Sequence, residues 1–405
     1  MTDSTSVSNA GLILVINGGS STLKFALFRM EAAPVRELFG SIDRIGSPEG
    51  TMRWTIEGAG TIGPQAVAAP DHAACIEPLV TCITGQLRHR PLVAIGHRVV
   101  HGGPRYRVPQ PLTPAVMDEL QRLSVFDPEH LPGEIDLVKG FALRYPHLPQ
   151  VACFDTAFHR DMPTVARLLA IPRRYEKLGL YRYGFHGLSY AFLMRELRQV
   201  GTPGEVNGRV ILAHLGNGAS MTAVKGGKSV DTTMGFTPTS GLPMSRRSGD
   251  LDPGLVSYLA RTEGMSVDQF HRMVNNESGL LGVSETSSDM RDLLREECND
   301  ARAAEAVALF CYHARKSIGS LAASLSGLDT VVFSGGIGEH SPIIRSRICE
   351  GLGFLGVIID PARNEAGQAV ISQEDSKVTV RVIHTDEERE IARSVVEVIG
   401  AESRR

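Results

Sequence analysis

Leu12–Leu27 reads LILVINGGSSTLKFAL: branched apolar residues, a polar turn rich in glycine and hydroxyls, then a second half-apolar run. Val210–Val224, VILAHLGNGASMTAV, repeats that pattern far along the chain. Each predicts strand, tight turn, strand, and the repetition predicts two related domains. Between them, Trp54–Pro70 is rich in Gly and Ala and reads as strand and loop. A helix is expected over Ile76–Arg88, a buried strand over Ala94–Val100, and helical spacing over Pro114–Leu123. Pro128 and Pro132 bracket an expected loop, and Val151–Phe154 is a short strand. Beyond the repeat, Asp252–Thr262 and Val267–Val274 have helical spacing. Ala301–Leu325 is the clearest helix: Val307, Cys311, Ala314, Ile318, Leu321 and Leu325 share a face, and Gly327 supplies a stop. A strand over Thr330–Phe333 runs into SGGIGE, and Thr385 with Glu388 forms a capping-box pattern for the last helix. Strands alternating with long helices give an α/β class.

Composition narrows the function. A chain of 405 residues exceeds one ordinary core, so two domains are expected. Hydrophobic content of 42% fits a soluble protein, and a net charge of −3 argues against nucleic-acid and anionic-membrane partners. No apolar run approaches the ~20 residues of a membrane helix. The six scattered cysteines form no CxxC pair, which fits reduced thiols and a cytoplasmic location. Residues 1–10 are polar, without a basic n-region, and read as a flexible tail.

The glycine-rich turns are the candidate chemistry. NGGSSTLK (Asn17–Lys24) has more hydroxyls than a turn needs, plus Lys24, and such a tip can aim backbone N–H groups and hydroxyls at a phosphate. HLGNGAS (His214–Ser220) sets Asn217 between two glycines, and SGGIGEHS (Ser334–Ser341) follows a strand, where α/β sheets bind nucleotides. Arg98, Asp155, His186, Arg247 and the Asp289–Arg291 pair lie beside small residues. Each alone reads as a cap, surface charge or satisfied core group, and Asp289 fits a helix cap. Together with phosphate-facing turns, they point to phosphoryl transfer, in which cations and a metal offset charge on the moving group. Gly351–Gly356 (GLGFLG) fits GxGxxG but lacks the strand–turn–helix context.

These motifs, with GHRVVHGG, CFDTAFH, YGFHGLS, GFTPTSGL, RRSGDLDPG, SSDMRD and TDEE in the same order, resemble the acetokinase family. That family belongs to the sugar kinase, heat-shock chaperone and actin superfamily. The resemblance implies two duplicated actin-like, ribonuclease H-like α/β domains with an interdomain cleft. Their bounds would be 11–156 plus 388–405, closed by the C-terminal helix, and 157–387, which binds nucleotide. It also implies a homodimer, ATP as co-substrate, Mg²⁺ (or Mn²⁺), and reversible in-line transfer of the γ-phosphoryl to acetate. Carried over by motif, Asn17 and Glu387 would be metal-associated. Ser20, Thr22 and Lys24 would lie near the phosphates, with Thr22 where the family usually has Ser. His214, Leu215, Gly216, Asn217 and Gly218 would form the second phosphate hairpin. Asp289, Met290 and Arg291 would meet the ribose and adenine, with Gly336, Ile337, Gly338, Glu339 and His340 beside the nucleoside. Arg98 would hold the substrate carboxylate, Asp155 is the family's essential acid, and His186 and Arg247 would act on the transferring phosphoryl. Asp155 could serve as metal organiser or as base.

The departures concern the acceptor. The family's P-L-H-N-P-like segment is DPEHLP here, placing His130 on the family histidine and Glu129 among acyl-pocket positions. The other pocket positions, Val100, Phe185 and Pro238, match. A Glu facing a carboxylate substrate repels it unless turned away or protonated, so propionate or butyrate is an alternative acceptor. His340 stands where the family loop usually has Asn, and Asp386 adds a carboxylate beside Glu387. A nucleotide-driven chaperone or sensor on the same fold is the non-enzyme alternative, but no residues remain for a peptide- or DNA-binding module.

Overall fold

The computed structural model describes residues 11–87 and 90–402. The tail 1–10 and Arg88, the predicted end of the first helix, lie outside them. The chain forms two compact units, one running to Ala157 and resumed from Asp386, the other Phe158–Thr385.

In the first unit, β1 (Leu12–Gly18), β2 (Thr22–Arg29), β3 (Val35–Asp43), β4 (Thr51–Ile56) and β5 (Gly60–Ala66) form an antiparallel meander. On the other side of β1, β6 (Leu92–Val99) and β8 (Gln150–Phe154) run parallel, and β7 (Gln110–Pro111) closes that edge. The order is β5-β4-β3-β2-β1-β6-β8-β7. β1 is buried throughout because both faces are covered. Leu14 and Ile16 pack with Leu79, Ile83, Leu137 and Phe141 on one side. The helix Glu387–Glu402 lies against β1, β6 and β8. Gly96 makes room for it, since a Cβ there would stand 2.6 Å from Val395 and 2.7 Å from Ile391.

The second unit repeats the design. β9 (Arg209–Leu215), β10 (Ala219–Lys225) and β11 (Lys228–Thr232) are antiparallel, and β12 (Thr330–Ser334) and β13 (Thr379–Val382) continue parallel, in the order β11-β10-β9-β12-β13. That matches β3-β2-β1-β6-β8 strand for strand. Tyr190, Leu193 and Leu197 of the helix Gly187–Val200 pack with Val210, Leu212 and Val332. The helix Ala301–Leu325 packs on β9, β10 and β11, and Ser326, at φ 59°, takes the left-handed position one residue before Gly327. Among the described residues no helix is long and apolar enough to cross a membrane.

Two expected elements differ. The segment bracketed by Pro128 and Pro132 enters a helix, Leu131–Arg144, because Pro132 sits in its first turn, where a missing N–H costs nothing. The Thr385–Glu388 capping box does not form. Thr385 Oγ1 bonds Ser189 Oγ (2.8 Å), and the Glu388 carboxylate accepts from Asn17. Asp386 caps the helix instead, accepting from the Arg389 N–H at 3.0 Å.

Three histidines are built into the core. His97 bonds Gln150 Oε1 at 2.6 Å, His159 bonds Ser229 Oγ and the Phe185 carbonyl, and His101 is fully buried. Burial pushes each imidazole down to about 4. The unfolded chain takes up these protons near pH 6.5 and the folded chain only near 4. Their stability is therefore complete above 6.5 and drains as pH falls through that window, by about 1.4 kcal/mol per pH unit per histidine. His97→Asn should remove one such share from the slope of urea-unfolding free energy between pH 6 and 5. An unchanged slope would take His97 out of this account.

Candidate active site

In the first unit β1 and β2 are joined through Gly19, whose N–H donates to the Thr22 carbonyl at 2.8 Å. His72 Nε2 holds the Gly19 carbonyl at 2.7 Å, fixing the turn from outside. Ser20 and Lys24 are exposed and Thr22 half-buried, so the tip can meet a ligand.

The neighbouring parallel strands β6 and β8 bring Arg98 and Asp155 together. Arg98 Nε and Nη2 donate to Asp155 Oδ2 at 3.1 and 2.7 Å. Nη1 donates to the Gly18 carbonyl and to Glu134 Oε1, both at 2.8 Å. Four of the five guanidinium N–H donors are thereby engaged. Glu134 was not among the expected residues. Its Oε2 accepts from the Val100 N–H at 2.8 Å, and only 4% of its side chain is exposed. Burial pushes its carboxyl up to about 8, against Arg98 and the Val100 amide. The signal in the sequence was an acid on the apolar stripe Leu131, Ile135, Val138.

His130 begins the same helix, and its Nδ1 and N–H both meet Asp127 Oδ1, at 2.8 and 3.2 Å. Burial works against ionising Asp127, but His130 holds its carboxyl below the usual range. Val100 is buried, whereas Glu129 is exposed.

Asn17, at the end of β1, donates through Nδ2 to Glu387 Oε2 (3.0 Å) and Glu388 Oε1 (2.8 Å). It joins the predicted metal residue Glu387 to Glu388, which was expected only as a cap. Burial raises the Glu388 carboxyl, Lys24 opposes this, and Glu387 and Asp386 add to it.

In the second unit the β9–β10 turn Gly216–Gly218 is closed by the Gly216 N–H donating to the Gly218 carbonyl at 3.0 Å. Exposed Asn217 accepts from Ser245 Oγ (3.2 Å). His186 and Arg247 converge on this turn. A Cβ at Gly218 would stand 3.1 Å from His186 Nε2 and 3.0 Å from Arg247 Nη2. Arg247 Nη1 is anchored on the buried Pro238 carbonyl at 2.7 Å. His186 follows buried Phe185 and adopts φ 57°, a left-handed conformation that a non-glycine residue keeps only where its surroundings enforce it. Here Ser220 Oγ bonds its Nδ1 at 2.8 Å, Tyr190 braces Ser220, and the His214 ring stacks at 4.3 Å between centroids. His214 Nδ1 is in turn held by Ser189 Oγ at 2.8 Å.

β12 ends at Ser334 and the helix Gly335–His340 follows, with Gly335 at φ +74° and only 2.7 Å between a Cβ there and the Leu215 carbonyl. This close approach sets Gly336, Ile337 and Gly338 beside the second hairpin. Glu339 Oε1 folds back to accept from the Gly335 N–H (2.8 Å), Ser334 Oγ (3.1 Å) and the Thr385 N–H (3.0 Å). Burial works against its ionisation, but these amides and His384 hold the carboxyl below the usual range. Buried Arg345, also unforeseen, donates to the Gly338 and Glu339 carbonyls and to Asn364. Asp289 does cap a helix, accepting from the Arg291 N–H at 2.8 Å and pairing with the exposed Arg291 guanidinium, beside buried Met290.

Two sheets of one pattern, each headed by a glycine-rich hairpin with cations gathered at it, define an actin-like α/β phosphotransferase fold. The comparisons specify it. The acetokinase family model matches residues 12–393. An acetate kinase of Rhodopseudomonas palustris is 42% identical over 389 residues, 95% of this chain and 97% of its own. Among solved structures, Porphyromonas gingivalis acetate kinase superposes with a TM-score of 0.86 at 34% identity, over 96% of this chain and all (100%) of its own. A propionate kinase from Francisella tularensis gives 0.88 at 34%, over 95% and 98%. The chain belongs to the acetokinase family, and it is a phosphotransferase with a carboxylate acceptor.

Proposed function

We propose that this enzyme transfers the γ-phosphoryl of ATP directly to acetate, reversibly, giving acetyl phosphate and ADP. The observation that carries the reading is the family match over nearly the whole chain, supported by the convergence of His186 and Arg247 on Gly218. A carboxylate is already ionised near neutral pH, so the nucleophile needs no general base. Asp155, whose Oδ2 takes two Arg98 N–H groups, is then an organiser of the acceptor side. Arg98 has one N–H left for the substrate carboxylate, so it orients more than it clamps. His186 and Arg247 stabilise charge on the transferring phosphoryl oxygens, where preorganised donors act most strongly. By family motif, Ser20, Thr22 and Lys24 serve the phosphates, as does the turn His214–Gly218, and the segment Gly336–His340 serves the nucleoside.

The oxygen donors of Asn17, Glu387 and Glu388 fit a hard divalent cation such as Mg²⁺. Their crowded carboxylates, with Glu388 raised, make a negative site that such an ion relieves. When bound, Mg²⁺ supplies neutralisation of phosphate charge. We read the protein as a cytoplasmic homodimer with small-molecule substrates and no nucleic-acid or membrane partner.

The second reading is a kinase of a longer acid, favoured by the likeness to the propionate kinase structure. Exposed Glu129 weakens the argument that first raised it. An acyl-hydroxamate assay with ATP, Mg²⁺ and acetate, propionate or butyrate separates the two. Acetate should lead in kcat/KM by roughly tenfold or more, the scale of one methylene in a fitted pocket. A propionate or butyrate lead of that size would reassign the acceptor, and no acyl phosphate from any short acid would sink the kinase reading.

A further inference from the structure

We infer that Glu339, His340 and His384 form a binding site for a borderline divalent transition-metal ion of the zinc type, separate from the Asn17–Glu387–Glu388 group. One ligand atom from each of the three residues lies within 4.8 Å of the others. Glu339 Oε2 is 2.8 Å from His384 Nδ1 and 3.9 Å from His340 Nε2. A tetrahedral ion with bonds of about 2.0–2.1 Å needs ligand atoms roughly 3.3 Å apart. The two distances bracket that value, so small side-chain rotations close the set.

The carboxylate is preorganised. Its Oε1 is consumed by the Gly335 and Thr385 amides and the Ser334 hydroxyl, which leaves Oε2 turned to the imidazoles. Outer hydrogen bonds of this kind orient first ligands and are part of functional metal sites. The backbone at Gly338 and Glu339 is pinned by buried Arg345, and Thr385, next to His384, is tied to Ser189. The two imidazoles are open to solvent, each side chain 71% exposed, with ring centroids 5.7 Å apart, so an ion has access and keeps open positions. Two imidazoles and one carboxylate favour Zn²⁺, Co²⁺, Ni²⁺ or Cu²⁺ over Mg²⁺, which takes oxygens and holds its water.

The test uses chelator-stripped full-length protein. Equilibrium dialysis with Zn²⁺ should give one equivalent bound, and Co²⁺ should give d–d absorption without the thiolate charge-transfer band that exposed Cys298 would contribute. His340→Asn and His384→Asn should each weaken binding by about 10–100-fold, with circular dichroism confirming the fold. Zn²⁺ should raise the wild-type Tm by several degrees and leave the double variant unmoved. No equivalent bound by wild type at about 100-fold excess over a micromolar affinity, or undiminished binding in the double variant, would overturn the assignment.

Discussion

Arg98→Ala should lower stability by about 3–5 kcal/mol as well as abolish most activity, because it strands the buried Asp155 carboxylate. Asp155, its side chain 1% exposed, takes its charge partner from this guanidinium, and Glu134, 4% exposed and raised to about 8, loses a hydrogen-bond donor with it. Denaturant unfolding of R98A reads the loss directly. Adding Asp155→Asn to R98A removes the stranded charge and should restore about 1–3 kcal/mol, a coupling on the scale of contacting groups. Arg98→Lys keeps a charge but cannot span Asp155, Glu134 and the Gly18 carbonyl. It should fold better than R98A while kcat/KM stays strongly reduced. If R98A unfolds at the wild-type denaturant midpoint, the bridge is not structural and Arg98 serves substrate alone.

The second large effect belongs to Arg247. Its Nη1 is fixed on Pro238 while Nη2 stands at the Gly218 turn, so the guanidinium is set before any ligand arrives. A donor that acts on charge appearing only in the transition state shows itself in kcat. Arg247→Ala should lower kcat by about 10²–10³, the cost of losing one preorganised donor, with the KM values for ATP and acetate within roughly threefold. A large rise in KM with kcat unchanged would place Arg247 in ground-state binding instead.

How much of this was legible in the chain depended on whether a residue's partner was local. The β1–β2 and β9–β10 hairpins were readable because apolar runs and glycine turns are set by neighbours in sequence, and Ala301–Leu325 showed because its stripe from Val307 to Leu325 runs for about five turns, with Gly319 off it. The helix Leu131–Arg144 was hidden by Pro132, Gly133 and Gly140, which report tertiary crowding. A Cβ at Gly133 would meet the His72 ring at 2.8 Å, and one at Gly140 would collide with Ile76. Arg98, Asp155, His186 and Arg247 were singled out through motif and resemblance. Glu134, Glu388, Arg345 and the His340–His384 pair have partners set only by folding, and Asp386 took the cap because Thr385 and Glu388 were already engaged elsewhere.

The helix Glu387–Glu402 has a consequence for biosynthesis. Domains generally fold as they emerge from the ribosome, N-terminal first, but here β1, β6 and β8 lack their covering helix until Glu387–Glu402 has been made. The Phe158–Thr385 unit can complete its sheet earlier, while the sheet of the first unit waits with an apolar face uncovered. Asn17, at the end of β1, meets Glu387 and Glu388 only then. A chain stopped shortly before Asp386 therefore has one finished half and no carboxylate cluster.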